Sequence, residues 1–192
     1  PIKDSVLGAD LNNLADVKKI IHNVKQNSLM IAQTPHTFSG IEVAILDLLS
    51  KKNQSPIYEI IGHKNSNPKI AYASVLFGNT PDETLKKASD MRLKNFKAVK
   101  FGWQNFGTDL NNDKDHLIAA REGLENDLML MVDAGAVWGN NVSEALKRVE
   151  KLKEANVTWL EEPFYSDAFD EYSQLNKISS LPLAGGESCH SV

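Results

Sequence analysis

The sequence predicts an α/β protein in which a helical N-terminal segment precedes a parallel β-sheet. In the first third of the chain, apolar residues recur at the three- and four-residue spacing of amphipathic helices. From Lys69 onward, short apolar runs alternate with amphipathic segments, which is the pattern of repeated βα units. The 192 residues, 42% of them apolar, are enough to bury the core of one or two domains.

The helical segment is expected to contain two amphipathic helices followed by a short turn. The first helix carries an apolar stripe at helical spacing, formed by Leu14, Val17, Ile21 and Val24. The second helix is expected to begin near Ser39, because Ser39 and Glu42 have the spacing of a capping box and an apolar stripe follows them. A short apolar turn at 57–62 leads to the polar stretch 63–68, HKNSNP, which is the candidate linker.

The rest of the chain contains five candidate strands, with the sequences IAYASVLF, AVKFGW, LMLMVDAG, TWLEEP and LPLAGGE. Strands that are almost continuously apolar, such as LMLMV, are typical of parallel sheets covered on both faces. Because the βα units repeat without a sign of reversal, we expect part of a TIM (β/α) barrel, whose working face lies at the C-terminal strand ends. An open doubly wound sheet is the alternative, but no glycine fingerprint follows the first strand.

The predicted helices between these strands have recognisable N-terminal signals. Thr80 and Glu83 form a capping box, with Pro81 at the first helical position. Ser143 is expected to cap a later helix, and Asp167 is expected to precede another in the same way.

Composition excludes several classes of function. A net charge of −4, with acids and bases interspersed, gives no sustained field for nucleic acid or a membrane surface. The longest apolar runs fall far short of the roughly 20 residues that span a bilayer, and the first residues lack the apolar region of a signal peptide. The single cysteine, Cys189, rules out an internal disulfide and fits a reducing compartment, so a cytoplasmic location is expected.

Three candidate strands end in an acidic residue, namely Asp133, Glu161 and Glu187. The acids are separated by 28 and 26 residues (161 − 133 and 187 − 161), about one βα repeat, so we expect them on adjacent strands at one level. Carboxylates packed together repel one another unless protons or a cation intervene. Oxygen ligands suit Mg²⁺, with Mn²⁺ as the alternative ion, so the three acids are the predicted metal ligands.

A single acid at a strand end is also compatible with a solvated loop residue or the N-cap of the next helix, a reading that suits three acids in register less well. Along an extended strand, Glu161 shares one face with Trp159 while Glu162 points to the other face. Glu161 is therefore the preferred ligand. Glu162 is interpreted as a structural partner beside the metal site.

The motifs VDAG, WLEEP and AGGE, in this order and spacing, resemble the mandelate racemase and muconate lactonizing enzyme branch of the enolase superfamily. Upstream, SGIEVAILDLLSKKNQSPIYEIIG is similar to the last helices of the family's capping domain. The resemblance implies that residues 1–67 are the helical C-terminal part of a capping domain and that residues 68–192 are the first five βα units of the barrel. It also implies a small-molecule carboxylate substrate and, for the complete enzyme, a homo-oligomer.

The resemblance further assigns a role to Lys100. The family carries a Lys-x-Lys pair at the end of its second barrel strand, and the matching AVKFGW has Lys100 at the first position and Gly102 at the second. Lys100 is the catalytic candidate, either as a cation that polarises a carboxylate or as a base if its pKa is lowered, with an exposed surface lysine as the alternative. Gly135 stands where relatives often have Asn, so the substrate contact of that Asn is not expected here.

In the family, the barrel continues for three more strands beyond the one that ends in Glu187, including strands that carry a His and Asp dyad. The chain as given is therefore expected to be a fragment that lacks the acid and base and is inactive by itself. His190 lies just beyond the third predicted ligand and is interpreted as a loop histidine.

The function that the resemblance implies is Mg²⁺-dependent removal of the α-proton of a carboxylate, with the metal and Lys100 stabilising the enolate. Dehydration of a sugar acid to a 2-keto-3-deoxy acid is preferred, because a racemase needs bases on both faces and Gly102 occupies one such position. A racemase, epimerase or cycloisomerase of the same superfamily is the first alternative. A non-catalytic fragment that binds metal or a sugar acid is the second.

Overall fold

The structure, a computed structural model, describes residues 2–26, 34–65 and 67–187. The chain divides into two compact units, Pro1–Pro68 and Lys69–Val192. This boundary falls one residue after the one that the sequence predicts. The assignment of the first unit to a capping domain stays a prediction.

The first unit is helical, as predicted, with α1 (Ile2–Val6), α2 (Leu14–Gln26), α3 (Thr34–Asn53) and α4 (Ile57–Ile60). Its core consists of the buried stripe of α2 and two residues of α3, namely Val17, Ile20, Ile21, Val24, Ile45 and Leu49. The predicted start of the second helix near Ser39 is wrong. The helix begins at Thr34, where a proline in the first turn costs no helical hydrogen bond, so Ser39 and Glu42 lie inside it.

The second unit is a five-stranded parallel sheet with helices between the strands, which confirms the predicted α/β class. The strands are β1 (Ala73–Leu76), β2 (Ala98–Gly102), β3 (Met129–Asp133), β4 (Val157–Glu161) and β5 (Leu183–Ala184), and they lie in chain order. The helices are α5 (Pro81–Leu93), α6 (Leu110–Leu124), α7 (Val142–Glu154) and α8 (Phe169–Ile178). None of the described helices is both long and apolar enough to cross a bilayer.

The two faces of this sheet differ in chemistry. One face packs against the helices through fully buried apolar residues, among them Val99, Phe101, Leu130, Val132 and Leu160. Because side chains alternate along a strand, the other face carries Lys100, Asp133 and Glu161. Asp133 is the register partner of both Gly102 and Glu161. The C-terminal ends of β2, β3 and β4 therefore bring polar groups to one edge of the polar face.

The helix starts confirm one predicted cap and correct two. The Thr80 hydroxyl accepts from the backbone N–H of Glu83, as the capping box predicts. The cap of α7 is Asn141, whose side-chain oxygen accepts from the Glu144 N–H, and not Ser143, which instead donates to the Asn141 side chain. The N-cap of α8 is Ala168, so Asp167 does not cap that helix.

A buried ion pair fixes the loop that follows β2. Arg148 Nε lies 2.6 Å from Asp113 Oδ2, and both side chains are almost fully buried. Asp113 Oδ1 accepts from the Gly107 N–H at 2.8 Å, while Arg148 Nη2 and Trp138 Nε1 donate to the Gly107 carbonyl at 2.8 and 2.9 Å. Burial raises the pKa of Asp113, and Arg148 and the Gly107 N–H oppose that rise. Asp113 of α6 and Arg148 of α7 thereby bind the backbone N–H and the carbonyl of Gly107.

Candidate metal centre

The polar face of the sheet places a lysine ammonium between two carboxylates. Lys100, in the middle of β2, is 7% exposed, and its Nζ lies 3.0 Å from Asp133 Oδ2. The same ammonium forms an ion pair and hydrogen bond with Glu161 Oε1. The structure thus brings together three of the residues that the sequence singles out, each from a neighbouring strand.

The protonation of Lys100 follows from these contacts. Burial alone would lower the pKa of its amine, but the hydrogen bonds and charges of Glu161 and Asp133 together outweigh burial and raise the pKa above its ordinary value. The amine is therefore a cation in this arrangement. This direction of the pKa favours the role of a cation that polarises a carboxylate over the role of a base, which needs a lowered pKa, and both roles stay predictions.

Both carboxylates are further oriented by neighbouring donors. The Gly135 N–H donates to Asp133 Oδ1 at 3.0 Å, and Trp159 Nε1 donates to Glu161 Oε2 at 2.9 Å. Each carboxylate therefore has both oxygens hydrogen-bonded, which restricts its rotation. The contact also shows that Trp159 and Glu161 share a face, as strand alternation predicts.

Two aromatic side chains belong to this cluster although the sequence does not single them out as functional. The Tyr72 ring lies edge-on to Trp159, with ring centroids 6.1 Å apart. Lys100 Nζ is 5.8 Å from the Tyr72 centroid, within the range of a cation–π contact. The spacing of two residues between Trp159 and Glu161 on one strand predicts that they share a face. Tyr72 precedes its strand, and no sequence pattern predicts its contact with Lys100.

Glu187 lies apart from this group. The register partner of Glu161 on β5 is Ala184, three residues before Glu187, and Glu187 is exposed in the turn that follows. Gly186, with a φ of +116°, takes the chain out of the extended conformation before Glu187 is reached. The expectation that the three acids lie at one level is therefore wrong for Glu187. Its assignment as a ligand stays a prediction.

Glu162 contacts the turn that carries Glu187. Its Oε1 accepts from the Gly186 N–H at 3.3 Å, and its own N–H donates to the Ala184 carbonyl. These bonds tie the end of β4 to the segment after β5, which agrees with a structural role for Glu162. Cys189 and His190 lie outside the described residues.

The chemistry of the cluster fits a divalent cation. Within residues 2–26, 34–65 and 67–187, no three His, Cys, Asp or Glu side chains meet closely enough to hold a metal ion. Asp133 and Glu161, however, supply two adjacent carboxylates whose mutual repulsion is relieved by a cation, here the Lys100 ammonium. Oxygen-only donors of this kind suit Mg²⁺.

Gly102 leaves no room for a side chain at the end of β2. A Cβ at this position would lie 2.8 Å from the Asp133 Cβ and 3.1 Å from the Asp133 carbonyl oxygen. Any larger residue would therefore have to displace Asp133. The packing of Asp133 against Gly102 therefore agrees with the absence of a second lysine in AVKFGW.

Comparison with known proteins identifies the family. A family profile described as "Enolase C-terminal domain-like" matches residues 83–192, more than half of the chain. The chain belongs to this family, in the enolase superfamily, as the motifs VDAG, WLEEP and AGGE predict. Some of the solved structures that share its fold contain bound magnesium.

Three relatives illustrate the similarity. A solved structure described as a "predicted Mandelate racemase from Rhodobacter sphaeroides" is 43% identical, with a TM-score of 0.91, and the match covers 99% of this chain and 49% of that one. An N-succinyl-L-Arg/Lys racemase from Bacillus cereus is 27% identical over 89% of this chain and 44% of its own length. An L-talarate/galactarate dehydratase from Salmonella typhimurium is also 27% identical, over 97% of this chain and 46% of its own length.

The chain thus spans about half the length of the curated relatives it matches. Other relatives of similar identity are cycloisomerases, further sugar-acid dehydratases and dipeptide epimerases. The family is therefore one of enzymes that carry out several reactions.

Proposed function

We propose that the full-length protein is a Mg²⁺-dependent enzyme that removes the α-proton of a sugar acid and dehydrates it to a 2-keto-3-deoxy acid. The observation that carries this proposal is the contact of Lys100, in the middle of β2, with Asp133 and Glu161 at the C-terminal ends of β3 and β4. Relatives that dehydrate galactarate, arabinonate and gluconate support it.

In this proposal Asp133, Glu161 and Glu187 hold the metal. Bound Mg²⁺ supplies positive charge that lowers the energy of negative charge on a substrate carboxylate. Lys100, held as a cation, donates a hydrogen bond to the same carboxylate as the α-proton leaves. Because Lys100 keeps its proton, a base elsewhere in the full-length protein accepts the α-proton.

Position 102 favours dehydration over racemisation. A racemase needs a base on each face of the α-carbon, and the second Lys-x-Lys position, which supplies one base in the family, is Gly102. The close approach of Gly102 to Asp133 excludes a side chain there without rearrangement. Racemisation or cycloisomerisation remains the second candidate, because relatives of similar identity are racemases and cycloisomerases.

The reaction is tested by incubating the full-length protein with Mg²⁺ and a panel of sugar acids, including galactarate, D-gluconate and arabinonate, in D₂O. We expect 2-keto-3-deoxy products, detected by their reaction with semicarbazide, from at least one acid. Exchange of the α-proton with epimerisation, and without dehydration, would support the racemase alternative. Binding of metal and acid without turnover would support the non-catalytic alternative.

A further inference from the structure

Trp103 presents an indole at the edge of the metal centre in an unusual backbone conformation. The residue follows β2 directly and is 57% exposed. Trp103 and Gln104 have φ values of +61° and +58°, a pair of left-handed residues without glycine. Such conformations are strained and persist at functional sites where the surrounding structure enforces them.

The backbone of Trp103 is hydrogen-bonded to the backbone of Asp133, one of the proposed metal ligands. Its N–H donates to the Asp133 carbonyl at 3.2 Å, and its carbonyl accepts from the Phe106 N–H. The buried Asp113–Arg148 pair holds Gly107 at the other end of the same loop. The indole is therefore presented by a loop fixed at both ends, which lowers the entropy lost when a ligand packs against it.

The side chain of Trp103 occupies the space that a side chain at position 135 would need. A Cβ on Gly135 would lie 3.0 Å from Trp103 Nε1 and 3.1 Å from Trp103 Cδ1. Gly135 follows Asp133 by two residues and donates its N–H to that carboxylate. The indole thus lies beside the residue that orients the Asp133 carboxylate, and its N–H has no hydrogen-bond partner among the described residues.

We infer that Trp103 determines specificity for hydroxylated acids, an inference that rests on the proposed function. The indole packs against C–H groups of the acid, and Nε1–H donates to one of its hydroxyl groups. An indole combines a broad apolar face with one donor, which matches a sugar acid, whose carbons each carry both C–H bonds and a hydroxyl group. An acid without hydroxyls leaves the donor unpaired.

The test compares Trp103→Phe, Trp103→Ala and Gly135→Asn in the full-length protein. Affinity by titration calorimetry and turnover are both measured with Mg²⁺ for two pairs of acids of equal length, galactarate with adipate and D-gluconate with hexanoate. Trp103→Phe keeps an apolar face but removes the donor. It should weaken binding of the hydroxylated acid roughly three- to tenfold and leave binding of the acid without hydroxyls unchanged. Trp103→Ala should weaken it about thirtyfold or more.

Gly135→Asn tests the geometry from the other side. Asn tolerates a positive φ, so the expected effect comes from its side chain displacing the indole. Like Trp103→Phe, this substitution should weaken binding of the hydroxylated acid. Gln104→Ala, exposed in the same backbone conformation, is the matched control and should change neither affinity nor turnover. Mg²⁺ affinity should be unchanged in all four variants.

Three outcomes separate this inference from the proposed function. Turnover that the Trp103 variants leave unchanged for every acid would overturn the inference and keep the function. Binding that is selective for hydroxylated acids and lost in the Trp103 variants, without any turnover, would keep the inference and overturn the function. Failure of every acid to bind would overturn both.

Discussion

Replacing Lys100 by Met should lower kcat of the full-length protein by about 10²- to 10³-fold, the usual effect of removing one donor to a developing oxyanion. Methionine is unbranched and of similar length, so it retains the buried stem of the lysine and loses its charge. The expected loss follows from the position of the ammonium between Asp133 and Glu161, because the proposed function has this cation donate to the substrate carboxylate.

The same substitution should strengthen Mg²⁺ binding, because it removes a positive charge beside the two carboxylates that we propose hold the metal. Opposite changes in turnover and metal affinity distinguish a catalytic cation from a residue that only maintains the fold. Lys97→Met, at an exposed position just before β2, is the matched control and should alter neither. Turnover of Lys100→Met within tenfold of the unaltered protein would contradict the catalytic role.

Replacing Arg148 by Met should destabilise the protein by about 3–5 kcal/mol, since it leaves the Asp113 carboxylate buried without its partner. The free energy of unfolding is measured by urea denaturation, with the slope compared between variants to detect changes in the unfolded state. Part of the loss should return in the double variant Asp113→Leu with Arg148→Met, because neither charge then remains buried.

The control for this prediction is Lys147→Met on the same helix, whose ion pair with Glu144 is exposed to solvent. Exposed pairs contribute little, so its unfolding transition should scarcely change. Equal stability of Arg148→Met and Lys147→Met would show that the buried pair does not stabilise the loop after β2.

The sequence predicts most of the sheet because its strands are short, largely apolar runs that alternate with amphipathic helical segments. LMLMV is typical of a strand covered from two sides, and the acid that ends it is then expected at the edge where parallel strands finish. This logic places Asp133 beside Glu161 correctly. It fails for Glu187 because β5 pairs through only two residues before Gly185 and Gly186 turn the chain, and no sequence pattern shows where pairing stops.

Local signals were misleading where several residues compete for one role. Ser39 and Glu42 have the spacing of a capping box yet lie inside α3, and Asn141 caps α7 in place of Ser143. Trp103 carries no signal in the sequence because its placement depends on two positive φ values at non-glycine residues, which tertiary contacts impose. Its space also depends on Gly135, a residue distant in sequence that only the folded sheet brings near.

Metal titration of the full-length protein tests the proposed centre most directly. Mg²⁺ affinity is measured by calorimetry for Asp133→Asn, Glu161→Gln, Glu187→Gln and Glu162→Gln, with circular dichroism to confirm folding. The first three variants should each weaken binding by at least about 100-fold, because loss of a ligand costs more than the 10- to 100-fold typical of a residue that only orients one. Glu162→Gln, whose amide oxygen still accepts from Gly186, should stay within about tenfold of the unaltered protein. Unchanged affinity in the Asp133 or Glu161 variant would contradict a metal site at these strand ends, and unchanged affinity in the Glu187 variant would remove Glu187 from it.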